Sequence, residues 1–362
     1  MKKIALAHDH LFQIGGAEKV LAALASLDEE APIFTLVNNT RITQNILKQS
    51  RIITSSLQKI PGTSIFKIFK YFLVFMPKVW EKTDLSAYDL IISSSSAFVK
   101  GVKIGNNSRH ICYCYAPTRY LWDDKEEYIG NLPEGKILKI FLPKVLNRLQ
   151  IWDFNKAQQI DYFIATSKFI ADKILKHYKK RAIIIYPPVK IDDFTIVDQV
   201  EDYYLIVSRL RPYKKVDLAI KAFNNLKLPL KIIGGGSELR RLKRMAHNNI
   251  EFLGELNDQD RNYYLSRCKA FIYPQIEDFG ITAIEAMASG RPVIAYAEGG
   301  ALETVVEGVT GTFFYDQTWE SLAHKILHFD DRKFNSQILR SHAAQFDEVI
   351  FKQKILNFIN SL

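Results

Sequence analysis

Short apolar runs alternate with helical stretches along this sequence, and the alternation starts afresh after Tyr186-Pro187-Pro188. In the first series, strands are predicted at 2–7 (KKIALA), 33–37, 89–93 (DLIIS), 110–114 and 162–166 (YFIAT), with a helix from Ala17. The run AIIIYPPV (182–189) ends in two prolines, which fix φ and donate no N–H, so a strand cannot continue through them. The second series predicts strands at 203–208, 230–234, 250–254, 270–274 and 292–296, with helices from Lys215, Ser237, Asp258 and Gly280. Such alternation favours parallel sheets covered by helices on both faces. The sequence therefore predicts an α/β protein of two doubly wound, Rossmann-like domains, and 362 residues is more than one ordinary core accommodates. The boundary is expected at 187/188, the second domain at 188–340, and a helix rich in Phe and Ile over 341–362.

Several classes drop out early. With 48% hydrophobic and 24% charged residues the composition is globular. Three cysteines are too few for a disulfide framework, and Cys112-x-Cys114 with no second Cys/His pair nearby reads as packing rather than zinc. The start, MKKIALAHDH, has only four apolar residues before His8 and Asp9, which is a strand and not a signal peptide. No apolar run approaches the ~20 residues of a membrane span. The net charge of +10 is divided unevenly: residues 1–186 hold 27 Lys+Arg against 16 Asp+Glu (+11), and residues 187–362 hold 22 against 23 (−1). Two basic amphipathic stretches contribute. In SIFKIFKYFLVFMPK, Ile65, Ile68, Phe69, Phe72 and Met76 form a helical stripe with Lys67 and Lys70 off it. In GKILKIFLPKVLNRL, Lys136, Lys139, Lys144 and Arg148 occur with no acidic residue. Such stretches are either solvated faces over a core stripe or surfaces that sit on anionic lipid. Neither carries a nucleic-acid module, so no nucleic-acid partner is expected.

Ligands of doubly wound sheets sit beyond the carboxyl ends of the strands. Four strand-to-helix turns in the second half suit anionic or polyhydroxylated groups. In SRLRPYKK, Arg209 offers a planar fork and Lys214 a point charge, a pair fit for a diphosphate, although two basic residues at a strand end are also ordinary surface charge. In IIGGGSELRRL, Gly234, Gly235 and Gly236 let backbone approach a ligand at a helix start, or simply form a tight turn. The dinucleotide fingerprint G-x-G-x-x-G fails there, because its third glycine falls at Leu239. In EFLGEL, Gly254 ends a strand. In EDFGITAIE, the N–H groups of Phe279, Gly280, Ile281 and Thr282 open a helix. Glu277 before them can accept from sugar hydroxyls or face a developing positive charge, and Glu285 can reach a vicinal diol such as a ribose. A lone pair of glutamates at this spacing is better explained by capping and solvation; the register with the other turns and a second α/β domain reverses that in favour of a sugar nucleotide.

The run from Val207 to Phe313 (VSRLRPYKKVDLAIKAF, IIGGGSELRRLK, IEFLGEL, EDFGITAIEAMASGRPVIAYAEGGALETV, GVTGTFF) closely resembles the C-terminal domain of retaining family 4 glycosyltransferases of GT-B fold. The N-terminal half is similar through Gly15-Gly16-Ala17-Glu18, YDLIISSSSAFVKG and HICYCYAPTRYLWD, most of all to mannosyltransferases that build O-antigen and related bacterial polysaccharides. The resemblance implies two domains facing a central cleft, with a C-terminal helix that crosses back to the N-domain. It implies that Glu277, Arg209 and Lys214 carry catalysis, that Glu285 holds the ribose, and that Phe279, Gly280, Ile281, Gly234, Gly235 and Gly254 line the donor site. Gly15, Gly16, Tyr115 and Arg119 are implied on the acceptor side. Many relatives have a His where this chain has Tyr115, and His110, five residues upstream, is not an obvious substitute. The implied reaction moves a hexose, mannose from GDP-mannose, to a lipid-linked or oligosaccharide acceptor with retention. No cofactor and no metal are expected, the sugar nucleotide being a substrate. The implied place is the cytoplasm, peripheral on the inner face of the cytoplasmic membrane.

Cleaving a sugar–diphosphate bond builds positive charge at the anomeric carbon and negative charge on the departing phosphate. Fixed cations and helix N–H groups stabilise that charge where it grows, which makes a divalent ion unnecessary. The one Asp-x-Asp, Asp258-Gln259-Asp260, opens a predicted helix and reads as capping. A UDP-sugar transferase, a GT-B epimerase, a dinucleotide oxidoreductase and a non-enzymatic binder are the competing readings. The last leaves Arg209, Lys214, Glu277 and Glu285 idle.

Overall fold

The structure, a computed structural model, describes residues 2–60, 72–123, 125–130 and 136–362. The chain divides into two compact units, residues 1–186 with 352–362, and residues 187–351.

The first unit holds seven strands, β1 (Ile4–His8), β2 (Ile33–Thr35), β3 (Ile52–Thr54), β4 (Leu90–Ser95), β5 (Arg109–Cys114), β6 (Tyr162–Ala165) and β7 (Ala182–Ile184). They form one parallel sheet in the order β3-β2-β1-β4-β5-β6-β7. β3 was not foreseen, because three residues in RIIT carry no readable period. Two apolar clusters pack its faces, one around Trp80, Phe98, Leu121 and Leu146, the other around Phe163, Ile170, Ile174 and Tyr178. β4 reads LIISSS and is buried throughout, so its three hydroxyls need partners. Ser93 bonds His110 Nε2 at 2.8 Å, Ser94 bonds His8 Nδ1 at 2.9 Å, and Ser95 accepts from Lys100 Nζ at 3.4 Å.

The second unit holds β8 (Tyr204–Val207), β9 (Leu230–Ile233), β10 (Ile250–Gly254), β11 (Phe271–Tyr273), β12 (Val293–Tyr296) and β13 (Gly311–Phe314), all parallel in the order β10-β9-β8-β11-β12-β13. β13 was likewise unforeseen. Ile206, Phe223, Ile232, Ile272 and Phe314 stand at the centre of its core. The helix Val216–Leu226 contributes Val216, Ala219, Ile220 and Phe223 from one stripe, and Lys227 in the left-handed region ends it.

Residues 341–351 fall in the second unit, so the unit boundary lies at Lys352 and inside the helix Glu348–Asn360. From Lys352 onward that helix packs within the first unit, where the Phe358 ring meets Tyr162 edge-on at 5.6 Å. Of the two basic stretches, Ile65, Lys67, Ile68, Phe69 and Lys70 lie outside the described residues. The second stretch begins the helix Lys136–Gln158, in which Leu146 and Leu149 are buried and Lys144 and Arg148 face outward. No helix among the described residues is long and apolar enough to cross a membrane.

Candidate active site

In the second unit, chain order reverses between adjacent β8 and β11, which is where a doubly wound sheet opens a crevice at its carboxyl end. The turns after these two strands carry the predicted residues. After β8 the chain passes Arg209 and a 3₁₀ turn, Pro212–Lys214, and Lys215 at φ 52° starts the next helix. After β11 it passes Glu277 and Phe279, and Gly280 at φ 103° caps the helix Ile281–Ala288. Glycine is required at 280, since a Cβ there would also lie 2.7 Å from the Tyr273 hydroxyl.

These turns meet. Lys214 Nζ pairs with the Glu277 carboxylate, and both side chains are more than four-fifths buried. Arg209, on the same turn as Lys214, is exposed, and its guanidinium donates to the Tyr213 hydroxyl at 3.3 Å. Glu285 is not a solvated helix residue. It is 3% exposed, with Arg261 Nη2 at 3.8 Å from its carboxylate.

The glycine turn after β9 has a more mechanical job than ligand contact alone. Gly234 donates to Gly254 O at 2.7 Å, and Leu210 N–H donates to Gly235 O at 2.8 Å. A Cβ on Gly234 would fall 2.0 Å from Ser208 O, and on Gly236 2.2 Å from Leu210 O. The glycines thus let the loop that carries Arg209 lie directly on the β9 turn. Gly254, at φ 75°, faces open space.

Two residues not foreseen as part of the site are Gly299 and Gly300. Gly300 N–H donates to Glu277 O at 2.8 Å, and Gly299 bridges Glu277 as a strand partner. A Cβ on Gly300 would sit 2.4 Å from Phe279 Cα. The Gly-Gly pair after β12 was the available signal. Asp258 and Asp260 stand in the first turn of the helix Asp258–Arg267, whose cap is Asn257, its Oδ1 accepting from Asp260 N–H at 2.9 Å.

In the first unit the corresponding reversal lies between β1 and β4. The Asp9 carboxylate spans it, accepting N–H groups of Ser96, Ala97 and Val99 at 2.7, 2.7 and 2.8 Å. Gly15 and Gly16 begin the helix Gly16–Ala25, and Gly15 N–H donates to Glu18 Oε2 at 2.8 Å. Burial pushes the Glu18 carboxyl up, but hydrogen bonding and charge from His8 outweigh it and leave it below its usual range. Tyr115 does not present its hydroxyl as a spare donor: it donates to Ala17 O at 2.9 Å and bonds Ser94 at 2.7 Å. Arg119 opens a 3₁₀ turn, Arg119–Leu121, that a buried network supports from behind. Asp153 pairs with Lys100 at 3.0 Å and accepts from Thr118, Trp122 and Tyr178 at 3.1, 2.9 and 2.6 Å. Burial works against the Lys100 charge, yet Asp153 and its neighbours hold its pKa above the ordinary value.

Residues 189–342 match the family profile described as Glycosyl transferases group 1. The chain is 27% identical over 270 residues to alpha-1,3/1,6-mannosyltransferase ALG2 of Dictyostelium discoideum, covering 62% of this chain and 63% of that one. It is 28% identical over 176 residues to O-antigen chain mannosyltransferase C of Escherichia coli, covering 44% and 45%. The match thus spans about half to two thirds of the length of such relatives. Among solved structures, Anabaena Alr3699/HepE in complex with UDP and glucose superposes with a TM-score of 0.72 at 19% identity, covering all of both chains, a likeness of fold.

Proposed function

We propose that the protein, whose residues 189–342 match the profile described as Glycosyl transferases group 1, transfers a hexose from a nucleoside-diphosphate sugar to a glycan or lipid-linked acceptor, with retention and without a metal ion. The Lys214–Glu277 pair at the β8/β11 reversal carries the reading. A buried cation there can neutralise the departing phosphate while the carboxylate beside it faces the sugar. In the transfer, the bond from the anomeric carbon to the β-phosphate oxygen breaks and its electron pair stays on the diphosphate. The acceptor oxygen bonds the same carbon and its proton passes to the departing phosphate. Arg209 and Lys214 hold the diphosphate, Glu277 and the Phe279–Gly280 backbone hold the hexose, and Glu285 takes the ribose diol. Tyr115, committed to Ala17 and Ser94, orders the Gly15–Gly16 segment in this scheme, while Arg119 meets the acceptor.

Mannose from GDP-mannose is the proposed donor, supported by the mannosyltransferases among the relatives. The acceptor proposed is a lipid-linked saccharide at the inner face of the cytoplasmic membrane, with Lys144 and Arg148 turned to anionic lipid. Calorimetric titration of GDP, UDP and ADP with their sugar conjugates, in EDTA, tests the donor. GDP-mannose binding in preference to the others, with hydrolysis or transfer of mannose, is the expected outcome; tighter binding of a UDP-sugar would reassign the donor, and no binding would sink the transferase reading. Co-sedimentation with anionic but not neutral vesicles, lost at high salt, tests the membrane part.

A further inference from the structure

Arg261 stands on the helix Asp258–Arg267, which contacts the helix Ile281–Ala288 that bears Glu285. Its Nη1 lies 2.8 Å from Asp258, its Nη2 donates to Asn262 Oδ1 at 3.1 Å, and the same Nη2 is 3.8 Å from Glu285 Oε1. The plain explanation is a helix-surface ion pair between Arg261 and Asp258, three residues apart. Exposure argues against it as the whole role: the Asp258 side chain is 77% exposed, but that of Arg261 is 16% and that of Glu285 4%. An exposed pair of this kind contributes little, whereas a cation beside a nearly buried carboxylate offsets a large desolvation cost. The Arg261 Nε–H is buried with no hydrogen-bond partner among the described residues.

We infer that Arg261 is a positioning residue for the ribose end of the donor site: it holds the Glu285 carboxylate oriented so that it accepts from both hydroxyls of a ribonucleoside diphosphate. This rests on the reading of Glu285 as the ribose ligand. At 3.8 Å the guanidinium attracts the carboxylate without standing in for a hydrogen bond to it. Asp258 and Asn262 fix the guanidinium from the other side, so its position is set before a nucleotide arrives.

The test compares binding of a ribonucleoside diphosphate and its 2′,3′-dideoxy analogue, using GDP and ddGDP and then the UDP and ADP pairs, by calorimetry on the full chain. Wild type should bind the ribo form about ten- to hundred-fold more tightly, the worth of hydrogen bonds to a charged acceptor. Arg261→Met should shrink that ratio to near one by weakening the ribo form alone, and Arg261→Lys should restore part of it. Asp258→Ala, which removes one of the two groups that fix the guanidinium, should lower the ratio by less than Arg261→Met does. If Arg261→Met keeps the wild-type ratio, whatever its overall affinity or melting temperature, the inference is wrong. If Arg261→Met does not fold, a ratio in Arg261→Lys that lies below wild type supports it, and a full wild-type ratio overturns it. Wild type that binds both forms equally overturns Glu285 as ribose ligand together with this inference; wild type that binds none overturns the transferase reading itself.

Discussion

Lys214 and Glu277 lie 63 residues apart in sequence, on turns from two different strands, and their side chains form one ion pair. Because each group is the other's counter-charge, their effects on catalysis are coupled. Lys214→Ala and Glu277→Gln should each lower kcat by about 10²–10³, and the double variant should fall by much less than the product of the two. Steady-state kinetics on the four proteins decides it: multiplicative losses would show that the two act independently.

Gly300→Ala should damage activity without unfolding the protein. Its backbone is in an ordinary helical conformation, φ −63°, so the methyl group adds no conformational strain. It would instead press on the Phe279 backbone and move the sugar-facing turn. A displacement on the order of 1 Å can cost about 10² in rate. Turnover falling at least ten-fold, with a melting temperature lowered by the strain of moving the Phe279 backbone, is the expected result; normal turnover would remove Gly300 from the site.

Breaking the Lys100–Asp153 pair should destabilise strongly. Both side chains are fully buried, and Lys100→Met leaves Asp153 charged with no cation beside it. The loss should be about 3–5 kcal/mol in urea denaturation. Lys100→Met combined with Asp153→Asn should cost less than Lys100→Met alone, because the uncompensated charge is gone. An equal or larger cost would mean that the hydrogen bonds to Thr118, Trp122 and Tyr178, not the charge, dominate.

Stability should decline in mild acid. Burial pushes the His110 imidazole down from 6.5 to about 4, and burial lowers His10 as well. The unfolded chain therefore takes up protons first as the pH falls. The stability contributed by neutral His110 is complete above about pH 6.5 and is lost as the pH drops toward 4, an effect on the order of 2–3 kcal/mol. His110→Gln, which can keep the bond to Ser93, should flatten the unfolding free energy across that window. An unchanged slope would assign the acid sensitivity elsewhere.

The strands were legible because a parallel sheet covered on both faces needs continuous apolar runs, and KKIALA, DLIIS and YFIAT supply them. β3 and β13 were not, since three- and four-residue strands leave no period to read. Arg209, Lys214, Glu277 and Glu285 were legible as charges at strand ends; their mutual distances follow from strand order, which no local pattern encodes. Asp9, Lys100 and Asp153 stayed hidden for a related reason. A charged residue defaults to the surface until its partner is known, and the partners here lie 53 residues or more away for the Lys100–Asp153 pair and 87 or more for Asp9. Arg261 was hidden by its own neighbour, because Asp258 three residues earlier supplies a sufficient local explanation.

The three serines of β4 also bear on how the first unit assembles. Each hydroxyl is answered from a different element, by His8 on β1, His110 on β5 and Lys100 on the turn beyond β4. A half-built sheet that lacks β5 would bury the Ser93 hydroxyl without its histidine, and one that lacks β1 would bury the His8 imidazole's partner Ser94 with one bond fewer, at up to about 1–3 kcal/mol apiece. Partial assemblies of this sheet are thereby penalised, and β1, β4 and β5 are bound to form and melt as one cooperative block, with backbone amides that exchange with solvent at a common rate.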